Sequence, residues 1–575
     1  MITFRLSLLF IAFFVTFFSC IYSKNSSDNA ESYTDTNHLD FDDVCFDGDN
    51  ADADTRNFDF DDIFFDEEDA FDFMNEYLDT TATNHMSRAI DPKEIMTILN
   101  LIGFPTILQT PFYLHTNIIH KRSLLDQPIF EPDRAEFPKK TVCGISAFIR
   151  KIDRSNFTKG STKLSSYISL TEEILISRLQ HSVGKITELF PEFNIDVEKI
   201  FNLFENMTVE ERQAGFMLHF MTRWNKTTFR IFAPLYYLEN NFSLTKPEQD
   251  AIAEEFGSLT PEEEKVFRKA HFVCDKIGMG DTRIEIDQHI LKRRSLSLRC
   301  GAQATIPTAF TWGTGFLGSS FPKPSTLPTF DLDPLFNAIE NPSAITEEAA
   351  FNSLRDFLLD SFDRLAANLL DVKLGNNRHL GLGAYIRTKT PLRAYINNSF
   401  AEKIKLTNRI SVELFCPATE KRFYINKINE QAFDEHNFND LNKAAENLAF
   451  LEEQMIERLF LRAFNTKMRP GAIFRWTNNI CYSGVRHGFN LGTDFWIQDR
   501  DIFKSIQASQ KTISELNTPI AKPPFGEQWK VFGGVVFKHK TALNTCFISL
   551  NGDITMNNKG IGEDWGLSLN FEASF

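Results

Sequence analysis

The chain has 575 residues, a formal net charge of −16 and eight cysteines, none in a CxxC pair. Residues 40–79 hold 17 Asp and Glu against one Arg, Arg56, so the acidity belongs to one stretch and the rest is balanced. That balance gives no basis for a nucleic-acid partner, and the scattered cysteines argue against a disulfide framework.

The first residues, "MITFRLSLLFIAFFVTFFSCIYS", place Arg5 before an apolar run from Leu6 to Phe18. The run is short of the roughly 20 residues a membrane helix needs, and it fits a secretory signal peptide over residues 1–23. Cys20 raises a lipoprotein alternative, which bulky Phe17 and Phe18 disfavour. No later stretch is long and apolar enough for a spanning helix, so an exported chain is either soluble or a barrel.

Residues 24–90 alternate Phe and Asp loosely, without helical or strand period, and predict a disordered acidic segment in the periplasm. "DGDNADADT" lacks the Gly and Glu placement of an EF-hand loop, so no metal site is expected there. Residues 91–138 are expected to be a periplasmic or plug-like segment.

From about residue 139 the apolar residues alternate, as on a strand with one apolar and one polar face. "KKTVCGISAFIR" puts Cys143, Ile145, Ala147 and Ile149 on one side, and "KTTFRIFAPLYYL" does so with Phe229, Ile231, Ala233, Leu235 and Tyr237. "DTRIEIDQHI", "RSLSLRCGAQATIP", "EKIKLTNRISVELFC" and the terminal "EDWGLSLNFEASF" are as regular. Such segments run 10–14 residues. Globular strands run about 5–6, while tilted membrane strands need about 9–11.

Short and long connections alternate along the series. Short links fall near Asn225, Arg293, residues 391–402, 483–485 and Lys540; long ones span roughly 151–211, 239–280, 309–377, 417–470 and 499–526. An outer-membrane barrel has this asymmetry, with short periplasmic turns and long outer loops. The fold class expected is therefore an all-β transmembrane antiparallel barrel over residues 139–575, with twelve strands. Fourteen is the alternative if "LQTPFYLHTNII" adds a strand and parity demands another. An even count places both ends of the barrel in the periplasm.

Helix-start signals lie in the long loops at Thr208/Glu211, Thr245/Glu248 and Thr260/Glu263. Two amphipathic helices are expected, over about Thr346–Val372 and Asp434–Phe464, either packed together as an outer cap or folded inward as a gate.

The terminal strand resembles the assembly signal of bacterial outer-membrane barrels, through Trp565, Gly566, Leu569, Phe571 and the last residue, Phe575. The resemblance implies outer-membrane lipid and the barrel assembly machinery as partners. A narrower one lies in "GMGDTRIEI" and "SLSLRCGAQATIPTAF", which look like strands of the fatty-acid and aromatic-hydrocarbon transporter barrels. The matching residues are Gly280, Asp281, Leu298, Gly301, Pro307 and Thr308, with Ala309 where those barrels tend to have Gly. It implies hydrophobic solutes carried through a plugged barrel.

No phosphate loop, HExxH or GxSxG occurs, so neither an enzyme nor a cofactor is expected. Parity selects the lumen-lining candidates Arg230, Arg299, Gln303, Arg387, Lys389, Lys405, Arg409, Glu413, Arg475, Arg486, Asp494, Lys530, Lys538 and Glu572. Bases exceed acids among them, which predicts mild anion preference in an open lumen. The functional expectation is an outer-membrane channel or transporter for small solutes, gated by helical loops. The alternative is a surface or structural barrel whose outer loops bind a partner.

Overall fold

In a computed structural model, the described residues are chiefly 92–109, 120–127, 141–153, 208–243, 271–316, 363–394, 401–427, 433–540 and 545–574. The expected signal peptide, the acidic segment 24–90, the Thr245/Glu248 pair, Glu263 of the Thr260/Glu263 pair and Phe575 lie outside the described residues.

Among the described residues seventeen strands follow in chain order. They are β1 (Thr141–Asp153), β2 (Thr208–Trp224), β3 (Thr227–Ser243), β4 (Val273–Met279), β5 (Thr282–Lys292), β6 (Ser297–Ile306), β7 (Phe310–Thr314), β8 (Gly381–Pro391) and β9 (Ile404–Phe415), then β10 (Ala418–Tyr424), β11 (Arg462–Arg469), β12 (Ile473–Ser483), β13 (His487–Gln498), β14 (Ile502–Ile506), β15 (Gly526–Lys540), β16 (Thr545–Lys559) and β17 (Glu563–Ser574). Twelve of them form a closed antiparallel ring in the order β1, β2, β3, β5, β6, β8, β9, β12, β13, β15, β16, β17. β1 closes it by pairing with both β2 and β17.

The other strands stand at the rim. β4 continues β5 along β3, and β7 continues β6 along β4, so one hairpin rises past the point where β8 stops pairing. β10, β11 and β14 make a separate three-stranded sheet from the β9–β12 and β13–β15 connections.

The turn side is tight. Trp224 pairs with Thr227 across a two-residue turn, where Asn225 takes a left-handed φ of 53° suited to such hairpins. The long connections all leave from the opposite, loop side, which also carries the short β16–β17 link.

Alternation along each strand sends apolar residues outward. Ile145, Phe216, Ile286, Leu382, Ile410, Leu491, Phe537, Leu550 and Phe571 are all exposed, Leu491 by 58% and Phe537 by 59%. A continuous apolar girdle of this extent has no place in water. Closure pairs the backbone of every wall strand on both sides, as a hydrocarbon environment demands. A closed, even-stranded antiparallel barrel, apolar outside and polar within, has the architecture of a bacterial outer-membrane barrel. Among the described residues no helix is long and apolar enough to cross a membrane.

Three local expectations change. Thr208 and Glu211 begin β2 rather than a helix, because the strand continues past the wall with Thr208 paired to Ser243. The loop helix spans Ala444–Leu459, and its N-terminal flank is a 3-10 turn capped by Asp440. Its buried stripe therefore starts at Ala444, with Leu441 left exposed. Leu108 and Gln109 end the Phe104–Gln109 helix, residues 110–119 lie outside the described residues, and the closed ring of twelve leaves the wall no place for a thirteenth strand.

Of the expected Thr346–Val372 helix only residues 363–370 are described continuously, and the described parts of the two loop helices bury their stripes on different partners. Residues 363–370 are helical, and Leu365, Ala366, Leu369 and Leu370 pack over the loop end of the bore with Tyr236, Leu238, Phe242, Leu124 and Leu125. The Ala444–Leu459 helix buries its stripe on the Pro92–Leu101 and Phe104–Gln109 helices instead.

Candidate functional site: the occupied lumen

A piece of chain, residues 120–127, lies inside the loop-side half of the barrel. His120 enters at the rim in a parallel bridge to Ile561, its N–H donating to Gly560 O at 3.0 Å. Its ring stands edge-on to the fully buried Trp496, 6.4 Å between centroids. Ser123 Oγ then accepts from Leu125 N at 3.2 Å, and Leu124–Asp126 closes into a 3-10 turn. Arg122 folds over that turn, its Nε and Nη2 donating to Asp126 O at 3.0 and 2.6 Å. One short turn thus aims a cation and a carboxylate at the wall.

Three groups of wall residues receive it. Arg122 donates to Asp494 on β13, and its Nη1 to Gln528 on β15 at 2.9 Å. Asp494 also accepts from Arg475 at 2.7 Å and Thr477 at 2.5 Å. Asp126 pairs at 2.7 Å with Arg283 on β5, which also pairs with Glu413 on β9 at 2.8 Å. Glu413 is completed by Gln303 at 2.8 Å and Thr305 at 2.5 Å. Gln127 accepts from Lys530 at 2.6 Å. Lys530 also binds Asp553 and Asp564, at 2.9 and 2.5 Å, and Arg150 bridges the same two carboxylates. Arg122, Asp126, Arg150, Arg283, Glu413, Asp494 and Lys530 are all buried. A charge so enclosed survives only when paired and fully hydrogen-bonded, which this lattice supplies.

Gly566 explains itself here. A Cβ on it would lie 2.6 Å from Arg150 Nη2 and 3.0 Å from Asp553 Oδ2, so the strand must be bare where the guanidinium crosses it.

Toward the turn side the bore becomes basic. Arg299, Arg387 and Arg409 stand in register on β6, β8 and β9. Arg299 pairs with Asp287 at 3.0 Å, and Arg409 with Glu285 at 2.7 Å. Arg230 pairs with Asp287 at 2.5 Å, and Arg409 lies 4.2 Å over the Tyr385 ring. Lys389, Lys405 and Lys538 follow nearer the rim, all half-buried, with Lys538 Nζ donating to Ser483 Oγ at 2.6 Å. Glu572 meets His219 at 3.1 Å.

The parity candidates other than Arg486 thus carry inward register, whether in the lattice, in the basic half or, for Glu572, beside His219. Arg486 does not: it lies exposed in the turn after β12. Sequence reasoning missed Arg150, Arg283, Glu285, Asp287, Asp553 and Asp564, which balance the lattice. Parity was the available signal, since Arg283, Glu285 and Asp287 alternate with Ile284 and Ile286. Arg122 and Asp126 carry no such signal, because they lie outside any strand. The acids balance the bases within the loop-side lattice, so the excess of bases is confined to the turn-side half.

The motif residues of the β4–β7 hairpin meet at one point. Gly280 and Asp281 break β4 from β5, opposite the Pro307–Ala309 break between β6 and β7. Asp281 accepts from Ala309 N at 3.3 Å and Asn376 N at 2.6 Å, while Thr282 and Thr308 hydroxyls meet at 2.8 Å. The carboxylate serves backbone groups that leave the ladder there.

A cavity of about 70 Å³ lies among Gln127, Phe148, Arg150, His219, Phe532 and Asp553, and another of about 20 Å³ among His120, Arg122, Glu211 and Gln528. Volumes of this size have room for water rather than for an organic solute. Among the described residues no cluster of His, Cys, Asp and Glu is arranged as a metal site.

No family model matches the chain, and no curated protein matches it. Solved structures do. An outer membrane channel from Pseudomonas putida F1 aligns over 78% of this chain and 100% of its own at 8% identity, with a TM-score of 0.36. The Pseudomonas putida toluene transporter TodX aligns over 80% and 95% at 7% identity and a TM-score of 0.27. The Ralstonia pickettii toluene transporter TbuX aligns over 76% and 90% at 7% identity and 0.30.

Proposed function

We propose that the chain is a gated channel of the bacterial outer membrane for small polar solutes, closed by residues 120–127 and opened when they leave the lumen. One observation carries this: the bore is stopped by a separate piece of chain, not filled by the wall's own side chains. The wall facing that piece is charged and polar, so its departure would leave a wettable path rather than an apolar tube. The ties are ion pairs and hydrogen bonds, which water can replace on release. A barrel of twelve strands is wider than the eight-stranded kind that side chains alone fill. Arg299, Arg387, Lys389, Lys405, Arg409 and Lys538 would line the turn-side mouth, and their charge favours anions there. The role involves no catalytic step. Outer-membrane lipid and the machinery that inserts barrels are the partners such a chain requires.

The test is conductance of the full-length protein in a planar bilayer. The native chain is expected to insert and stay closed, with brief openings, whereas Asp126→Asn conducts for longer. Silence from both, with heat-modifiable gel mobility proving that both are folded barrels, overturns the channel and leaves a surface or structural barrel.

A further inference from the structure

The wall offers residues 120–127 seats of opposite charge. Arg122 donates to Asp494 and, at 2.9 Å, to Gln528, so this part of the bore takes a cation. Arg283, elsewhere on the wall, takes an anion: its Nη2 pairs with Asp126 at 2.7 Å. Its Nη1 donates to Leu125 O at 2.8 Å. One guanidinium therefore grips a peptide carbonyl together with the carboxylate of the next residue. Lys530 holds a third kind of group, the side-chain amide oxygen of Gln127, at 2.6 Å. A single residue bridges the cation and anion seats, because Asp126 gives its backbone oxygen to Arg122 Nη2 at 2.6 Å and its carboxylate to Arg283.

Each seat also keeps a counter-charge of its own. Asp494 retains Arg475 at 2.7 Å, and Arg283 retains Glu413 at 2.8 Å. Lys530 and Arg150 share Asp553 and Asp564. Without residues 120–127, this part of the wall is neutral in sum and bipolar in detail. Lys121 stands apart from it, meeting Glu211 at 3.2 Å with 29% of its side chain exposed. A buried charge needs a partner. A simple ion fills one seat only, whereas a molecule carrying both signs fills both.

We infer that the loop-side lumen is a passage for short zwitterionic peptides, and that residues 120–127 stand in for them in the closed state. The inference rests on the gated channel proposed above and names its solute. An ammonium or guanidinium group of the solute takes the place of Arg122 at Asp494. A terminal carboxylate takes the place of Asp126 at Arg283, and the carbonyl before it the place of Leu125 O. Lys530 remains for a further amide oxygen. Such a solute uses the same seats as the closing segment, so it binds only the state that the segment has left and shifts the balance toward that state.

The test compares solutes of similar size at neutral pH: triglycine, which carries both charges, its N-acetylated form, an anion, and its C-terminal amide, a cation. Liposomes holding the full-length Asp126→Asn protein, whose wall is native, are swollen in each. Triglycine is expected to enter severalfold faster than either analogue, with the anion second because of the turn-side bases. Adding Asp494→Asn removes the seat for the ammonium, and the advantage of triglycine over the N-acetylated form is expected to vanish. Triglycine entering no faster than the anion overturns the inference and leaves the channel standing. An advantage that outlives Asp494→Asn overturns it too, since the preference then arises elsewhere. Liposomes that swell in no solute, with heat-modifiable mobility proving a folded barrel, overturn the channel and the inference with it. Should Asp126→Asn fail to fold, the native chain in a planar bilayer serves instead. Triglycine in the bath is then expected to raise its open probability severalfold above either analogue, and equal open probability in every bath overturns the inference.

Discussion

Arg122 and Asp494 lie 372 residues apart in sequence and donate and accept one hydrogen bond inside the barrel, with side-chain exposures of 2% and 0%. One partner belongs to the chain in the lumen and the other to the wall. Under the proposed gating, their bond is one of the ties that hold the lumen closed. Removing one member of a buried pair costs about 3–5 kcal/mol, since the other charge is left enclosed. In Arg122→Ala, Arg475 and Thr477 still serve Asp494, so the lower end of that range applies. About 3 kcal/mol taken from the closed state raises the open-to-closed ratio roughly a hundredfold. Single-channel open probability measures it, and a value equal to that of the native chain removes this bond from the gate.

The opposite change should lock the gate. His120 and Ile561 face each other across a parallel bridge, a separation at which two cysteines join without moving the backbone. His120→Cys with Ile561→Cys is expected to abolish openings when oxidised and restore them on reduction. Conductance in alternating oxidant and reductant reads this directly. Openings that persist through full oxidation place the moving part elsewhere.

The barrel was legible in the sequence because one physical rule wrote it many times. Lipid outside and charge inside force an alternation, and Ile284, Glu285, Ile286 and Asp287 display it within four residues. The short and long links were legible for the same reason. The piece of chain in the lumen was not, because Arg122 and Asp126 owe their place to a 3-10 turn and to partners hundreds of residues away. No period runs through residues 120–127. Arg486 shows the limit of parity: one residue past the strand end, alternation no longer decides direction. Thr208 shows the limit of local signals, since its helix-start pattern lost to a strand ladder extended beyond the membrane.

Gly566 should tolerate no side chain. A Cβ there meets Arg150 at 2.6 Å, and displacing that guanidinium strands Asp553 and Asp564, which it shares with Lys530. Overpacking alone costs about 1–3 kcal/mol. Gly566→Val is expected to lower the temperature at which heat-modifiable mobility is lost. Gly533, whose nearest neighbour would lie at 3.2 Å, is the control on an outward position: Gly533→Ala should change it little. Equal behaviour of the two variants would show that Arg150 moves aside freely.

The turn-side mouth should set ion preference. Arg299, Arg387 and Arg409 are in register, and Lys405 lies beyond them on β9. In an Arg122→Ala background, where the current is large enough to measure, Lys405→Glu changes the local charge by two. The anion-to-cation permeability ratio is expected to fall severalfold, and more so at low salt, where charges are less screened. A Lys511→Glu change on the loop side should leave the ratio unmoved.

The outer sheet of β10, β11 and β14 should come apart in acid at a point that Arg422 sets. Burial of Glu420 opposes its charge, and the neighbouring Arg422 and Lys373 outweigh that, holding the carboxyl below its ordinary range. Arg422 is shared with Asp501, 2.8 Å away on the segment leading into β14. A carboxylate with a depressed folded pKa lends stability above its unfolded value and loses it as pH falls through the folded one. The sheet is therefore expected to survive neutral and mildly acidic conditions and to open only below the usual carboxylate range. Arg422→Gln removes the cation, lets the carboxyl titrate higher, and should move that opening upward in pH. Cleavage of the β10–β11 connection by an acid-active protease across a pH series reads the midpoint. A midpoint unchanged by the substitution would mean that Lys373 alone holds the charge.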